Sequence, residues 1–199
     1  MLLDARSISD GETLTADVCI VGAGAAGITL AMELLATGLT IIVLEAGGKS
    51  KAGPSQGLYQ GELNDPVRPL PLDQARYRQL GGTTSLWGGR CIPFDSLDFD
   101  QREWISHSGW PFPQKEIDGY YRRAHSYCEG GEYDYRVSPA LPGAPSSMLP
   151  GFEDGDVNTS GIDRWSPPTQ FGKVYRPILT RADNLRVLLH ALAVELQPS

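Results

Sequence analysis

Four residues near the start of the chain could do chemistry by their types and spacing: Gly22, Gly24, Gly27 and Glu45. The glycines fall as G-x-G-x-x-G within VGAGAAG, and Glu45 follows Gly27 by eighteen residues. The chemistry this pattern suits is the binding of a dinucleotide. Gly22 permits a tight turn, Gly24 lets backbone approach a pyrophosphate, and Gly27 lets a helix lie close to a strand. The unpaired N–H groups and positive dipole end of that helix would face the phosphates. Glu45 stands near the position, about 20 residues on, at which an acid meets the ribose hydroxyls. Its charge would repel a 2′-phosphate, which makes NADP the least suited ligand.

These residues can act only if local structure holds them. Val18-Cys19-Ile20-Val21 is a short apolar run that predicts a strand buried on both faces. Leu30, Ala31, Leu34 and Leu35 recur at helical spacing, and Gly38 stands where a C-terminal cap belongs. Ile41-Ile42-Val43-Leu44 predicts a second buried strand, ending on Glu45. A lone glycine motif is weak, because glycine-rich turns are common. Strand, turn, helix, strand and acid within about 30 residues satisfy the context the motif requires. The expected fold class is α/β, built on a Rossmann-type βαβ unit.

From residue 49 to 72 glycine and proline interrupt any period, which predicts a long surface connection. After it come Arg76-Tyr77-Arg78-Gln79-Leu80 and then GGTTSLWGGR, residues 81–90. Read alone, the second stretch is a glycine-rich turn with one buried tryptophan. Coupled to an upstream dinucleotide unit, it is a loop whose backbone can pass close to the far end of the same ligand.

These blocks, VGAGAAG with LEAGG, LGGTTSLWGGR, and DFDQREWISHSGWPFPQKEIDGYYRRA, resemble the glucose–methanol–choline (GMC) oxidoreductases. The last two are most similar to the sugar-dehydrogenase and pyranose-oxidase side of that family. The resemblance implies FAD as the cofactor and oxidation of CH–OH groups in alcohols or sugars as the activity. It implies that Gly22, Gly24 and Gly27 meet the FAD pyrophosphate, that Glu45 meets the adenosine ribose, and that Ala25, Ala26 and Ala46 also belong to the cofactor site. It places Gly81, Gly82, Thr83, Thr84, Trp87, Gly88 and Gly89 beside the flavin and its phosphates, and the main chain of Ala193 at the adenine. Where some relatives carry a histidine linked to the flavin, this chain has Leu86, so FAD is expected to be held non-covalently.

The resemblance also implies a catalytic histidine motif that finds no match here. His107, His125 and His190 do not fit it, so no catalytic residue is assigned. The chain is expected to stop before the catalytic part, with an irregular, partly helical extension toward a substrate domain it lacks, and to be inactive and either poorly soluble or only partly ordered by itself. The expected organisation is a tail over 1–16, the N-terminal part of an FAD-binding domain over 17–128, a Pro/Gly-rich loop over 129–160, and a substrate-side segment with a returning strand over 161–199. In that last part Leu185, Val187 and Leu189 alternate as in a half-buried strand. Ile117, Tyr120, Tyr121, Ala124 and Cys128 predict the core stripe of a helix.

Composition sets the outer limits. A formal net charge of −7 argues against nucleic acid and anionic membranes as partners. No apolar run approaches the roughly 20 residues of a membrane span, and the first residues are too polar for a secretory signal. The cytoplasm is the simplest compartment. Cys19, Cys91 and Cys128 have no metal-site spacing, no metal is expected, and Cys19 reads as a small core residue. Small-molecule alcohols or sugars are the expected substrates, and the electron acceptor is left open. Two other readings compete: an NAD-dependent dehydrogenase, which needs only the first motif, and a non-catalytic flavin- or nucleotide-binding module of a two-chain complex.

Overall fold

The computed structural model describes residues 1–51, 54–62, 67, 70–152 and 157–198. Among the described residues the strands are β1 (Leu2–Asp4), β2 (Val18–Val21), β3 (Ile41–Glu45), β4 (Arg90–Cys91), β5 (Arg164–Trp165) and β6 (Leu185–Leu189). They divide between two compact units, Met1–Trp87 with Thr169–Ser199, and Gly88–Pro168.

The first unit is a four-stranded parallel sheet in the order β1-β6-β3-β2. Parallel neighbours need crossover connections, and helix α1 (Ala25–Leu34) supplies the one between β2 and β3. A 3₁₀ turn, Leu35–Thr37, tightens its end, and Gly38 takes the left-handed conformation (φ 78°) expected of the cap. Ile28 and Ala31 of α1 are buried together with Ile41, Val43, Leu185 and Val187 of the central strands, which form the core.

Several expectations change here. Residues 1–16 are not simply a tail, because Leu2–Asp4 form an edge strand paired with β6. The Met1 ammonium fixes that strand by donating to the carbonyls of Leu185 (2.7 Å) and Leu179 (3.1 Å). The returning strand β6 lies between β1 and β3, so Leu188 is buried as well as Leu185, Val187 and Leu189. It is a central strand, not a half-buried one. β2, conversely, is the opposite edge: only Ile20 is buried, and Cys19 and Val21 are exposed. Cys19 is therefore no core residue.

The second unit holds the β4–β5 antiparallel ladder and a cluster of rings, Phe99, Trp110 and Phe112, with centroids 5.8–6.4 Å apart. In the helix Asp118–Tyr127 the buried residue is His125, whereas Tyr120 and Ala124 face solvent, so the expected aromatic stripe is not its core face. The His125 ring stands edge-on to Tyr133 and Tyr135, and its Nδ1 is 3.0 Å from the Gly131 carbonyl. Its place is structural.

The cysteines differ in environment. Burial, with the Cys91 sulfur beside it, pushes the Cys128 thiol up to about 11. At pH 8 only about one Cys128 in a thousand is then thiolate, and the thiolate is the form that reacts. Timed alkylation read by peptide mass spectrometry is expected to label exposed Cys19 well before Cys128. Equal labelling rates would contradict the placement of both residues.

Candidate functional site

The site is built where β2 runs into α1. Gly22 has φ 97°, its N–H donates to the Leu44 carbonyl at 2.7 Å, and the chain turns there from strand to helix. Gly24, extended at φ −79°, is the N-cap residue, so the first N–H groups of α1 have no acceptor within the helix. A Cβ on Gly24 would meet no heavy atom within 4 Å, whereas one on Gly27 would fall 1.9 Å from the Gly22 carbonyl oxygen. The two glycines thus do different work. Gly27 closes the helix on the turn, and Gly24 keeps open space in front of the N-terminus of α1.

Glu45 ends β3 and is only 6% exposed. Its carboxylate spans the turn: Oε2 accepts from the Ala23 N–H (2.9 Å) and Oε1 from the Gly47 N–H (2.8 Å). Each oxygen keeps lone-pair capacity for a further donor such as a ribose hydroxyl. After β6 the chain continues along this edge, with the His190 N–H on the Gly47 carbonyl (2.9 Å) and the Ala191 N–H on the Glu45 carbonyl (2.8 Å). The His190 ring lies where a Cβ on Gly48 would fall, which is a packing role.

The second glycine motif is assembled on the first. The Gly81 N–H donates to the Ala23 carbonyl at 2.7 Å, and a Cβ on Gly82 would stand 3.2 Å from Gly24 Cα. Gly81 has φ 88° and is pressed against the Gly172 backbone, where a Cβ would be 2.3 Å from the Gly172 nitrogen. Thr84 holds the 3₁₀ turn Gly82–Ser85, its hydroxyl donating to the Gly81 carbonyl (2.6 Å) and accepting from the Phe171 N–H (3.2 Å). The Trp87 indole N–H donates to the Thr169 carbonyl (3.0 Å).

A cleft of about 340 Å³ opens at the carboxyl ends of β2 and β3, the place where sheets of this type hold ligands. Of the residues expected at the cofactor, Gly22, Gly24, Glu45, Ala46, Gly82, Thr83 and Ala193 line it. Ala25 and Ala26 belong to the first turn of α1, while Gly27, Gly81, Thr84 and Trp87 hold the surrounding backbone. Gly88 and Gly89 fall in the second unit, where Gly89 (φ 84°) lies against the Ser166 carbonyl. The cleft also takes in Tyr59, Tyr77 and Arg78, which carried no role in the sequence reading. Arg78 and Tyr77, three and four residues before the Gly81-Gly82 turn, were the available signal, whereas Tyr59, 22 residues upstream of Gly81, left none.

The residues fit a dinucleotide. Open space lies in front of Gly24, the N-terminus of α1 has no side-chain cap from its N-cap residue, and an acid stands at the end of the next strand. Among the described residues, no group of three or more His, Cys, Asp or Glu could hold a metal, and no helix is long and apolar enough to cross a membrane.

Comparison with known proteins agrees with this geometry. The family model described as FAD dependent oxidoreductase matches residues 17–155. Paromamine 6'-oxidase of Streptomyces fradiae is 28% identical over 144 residues, covering 63% of this chain and 26% of that protein. Oxygen-dependent choline dehydrogenase of Sinorhizobium medicae (strain WSM419) is 33% identical over 140 residues, 62% of this chain and 25% of that protein. An uncharacterised GMC-type oxidoreductase of Sinorhizobium fredii is 29% identical over 152 residues, 72% of this chain and 29% of that protein. The chain thus spans about a quarter of the length of the curated relatives it matches. The likeness to GMC oxidoreductases read from the motifs holds, and with a family model covering more than half of its residues the chain belongs to the FAD-dependent oxidoreductases.

Proposed function

We propose that this chain binds FAD non-covalently through its adenosine diphosphate half and serves an enzyme that oxidises CH–OH groups of alcohols or sugars. The observation that carries the reading is the Gly81 N–H on the Ala23 carbonyl. It seats the second glycine motif on the first, a construction that an NAD site does not need. The names of the relatives, a paromamine oxidase and a choline dehydrogenase, point to hydroxyl groups on amine-bearing substrates. Bound flavin would supply the hydride acceptor. The chain's own residues supply position: donors at the start of α1 for the diphosphate, Glu45 and Ala46 for the ribose, and the backbone of Ala193 for the adenine. Gly88 and Gly89 are proposed to contribute backbone toward the flavin.

No general base is assigned. His125 is buried among tyrosines, His190 is packed on Gly48, and His107 lies in an exposed turn with φ 60°. The 199-residue chain is accordingly expected to bind FAD without turning over alcohols.

Titration of FAD into the purified chain, followed by flavin fluorescence, tests the reading. Saturable binding, with NADP failing to compete, is the expected result. NAD binding without FAD binding would favour a nicotinamide-dependent dehydrogenase instead. Acid precipitation is expected to leave all flavin in the supernatant, because Leu86 offers no atom for a covalent link. Flavin absorbance in the pellet would overturn the non-covalent assignment.

A further inference from the structure

Arg78 stands in the cleft wall with its backbone fixed on both sides. Its N–H donates to Gln56 Oε1 at 3.0 Å, and the Gln56 amide is itself held by the carbonyls of Asp73 and Arg76, both at 2.7 Å. The Arg78 carbonyl occupies the space of a Gly47 side chain: a Cβ there would be 2.0 Å away. The side chain is held too, with its guanidinium carbon 4.4 Å from the centroid of the Tyr59 ring. Arg78 Nε is nevertheless buried without a hydrogen-bond partner, and none of the ion pairs among the described residues engages the guanidinium.

Charge gives this arrangement a purpose. Among the described residues that line the cleft, Arg78 is the one cation and Glu45 the one anion. Glu45 stands close to the phosphate-binding turn, and its charge works against an anionic ligand there. The N-terminus of α1 supplies only about half a positive charge, against the two negative charges of a dinucleotide diphosphate. A guanidinium presents planar, paired donors suited to phosphate oxygens, and stacking on a ring removes part of the rotamer freedom it would otherwise lose on binding.

We propose that Arg78, held over Tyr59, is the cation that reads the diphosphate of the bound dinucleotide. This rests on the dinucleotide reading of the cleft and adds its selectivity, for a nucleoside diphosphate over the uncharged nucleoside. Calorimetric titration of the 199-residue chain with ADP and with adenosine tests it. Wild type is expected to bind ADP at least about tenfold more tightly than adenosine. In Arg78→Gln that ratio is expected to collapse while adenosine affinity stays unchanged, and the salt dependence of ADP binding should fall with it. Equal weakening of both ligands would overturn the proposal and make Arg78 a base contact. An unchanged ratio would overturn it and leave Arg78 structural. Should R78Q not fold, R78K keeps the charge and loses the fork. A several-fold lower ratio is then expected, and an unaltered ratio would overturn the role of the fork. Failure of wild type to bind ADP, adenosine and FAD alike would take down the dinucleotide reading itself, a result distinct from all of these.

Discussion

Gly27→Ala is expected to disrupt the folded nucleotide unit, whereas Gly24→Ala, three residues away, leaves the fold intact and loses the ligand. A methyl group on Gly27 would sit 1.9 Å from the Gly22 carbonyl oxygen and 3.3 Å from the Ile20 side chain. That oxygen cannot readily move aside. Gly22 is fixed in a left-handed conformation, and its N–H is bonded to the Leu44 carbonyl. Relief would require lifting α1 off β2 and uncovering Ile28 and Ala31. A cost of about 3 kcal/mol or more follows, a large part of a domain stability of roughly 5–15 kcal/mol. The Cβ of an alanine at position 24 meets nothing within 4 Å, and φ −79° suits any residue. Its stability should stay within about 0.5 kcal/mol of wild type, while FAD affinity falls by about tenfold or more because the methyl fills the phosphate approach. Chemical denaturation and flavin titration of both variants separate the two roles. A G27A chain with an unchanged unfolding midpoint would contradict the packing described.

The contrast explains why this part of the molecule was legible from sequence. Everything from β2 to Glu45 is local: an apolar run, glycines at fixed offsets, a 3.6-residue period and a left-handed cap at Gly38. Local physics decides each of these, and each was read correctly as an element. Burial was not legible, because it depends on neighbours distant in the chain. Val18-Cys19-Ile20-Val21 has the composition of an interior strand, yet it forms the sheet edge and exposes Cys19 and Val21. Leu2–Asp4 is too short to carry a period, and its partner β6 lies more than 180 residues away. In the helix Asp118–Tyr127 the ring contacts of Tyr133 and Tyr135, on a later segment, select His125 as the buried residue over the apolar-looking stripe.

The same division runs through the candidate site. The glycine turn and the acid come from regular elements with a known spacing. Tyr59 lies in a segment whose glycines and prolines erase any pattern, and Arg78 reaches the cleft only because Gln56 and Gly47 lock its backbone there. Contacts of that kind, between an irregular loop and a turn, leave no period to read.

Glu45 carries the second large expected effect, because its carboxylate works in the fold before it meets any ligand. Two buried N–H groups, of Ala23 and Gly47, donate to its two oxygens. A carboxylate only accepts, so it satisfies both at once and ties the start of the glycine turn to the far end of β3. Glu45→Gln keeps the shape and replaces one acceptor with an NH₂ group. One backbone donor then faces another donor, at a cost of about 1–3 kcal/mol. Glu45→Ala strands both donors and leaves a gap, which should cost about 3–5 kcal/mol. The expected order of stability is wild type, then E45Q, then E45A, measured by denaturant midpoints without ligand. If Glu45 served only to bind a ribose, all three would unfold together without ligand, and only their FAD affinities would differ. A graded loss of stability alongside the loss of affinity would instead mean that the acid first shapes the turn and then offers its remaining lone pairs to the ligand.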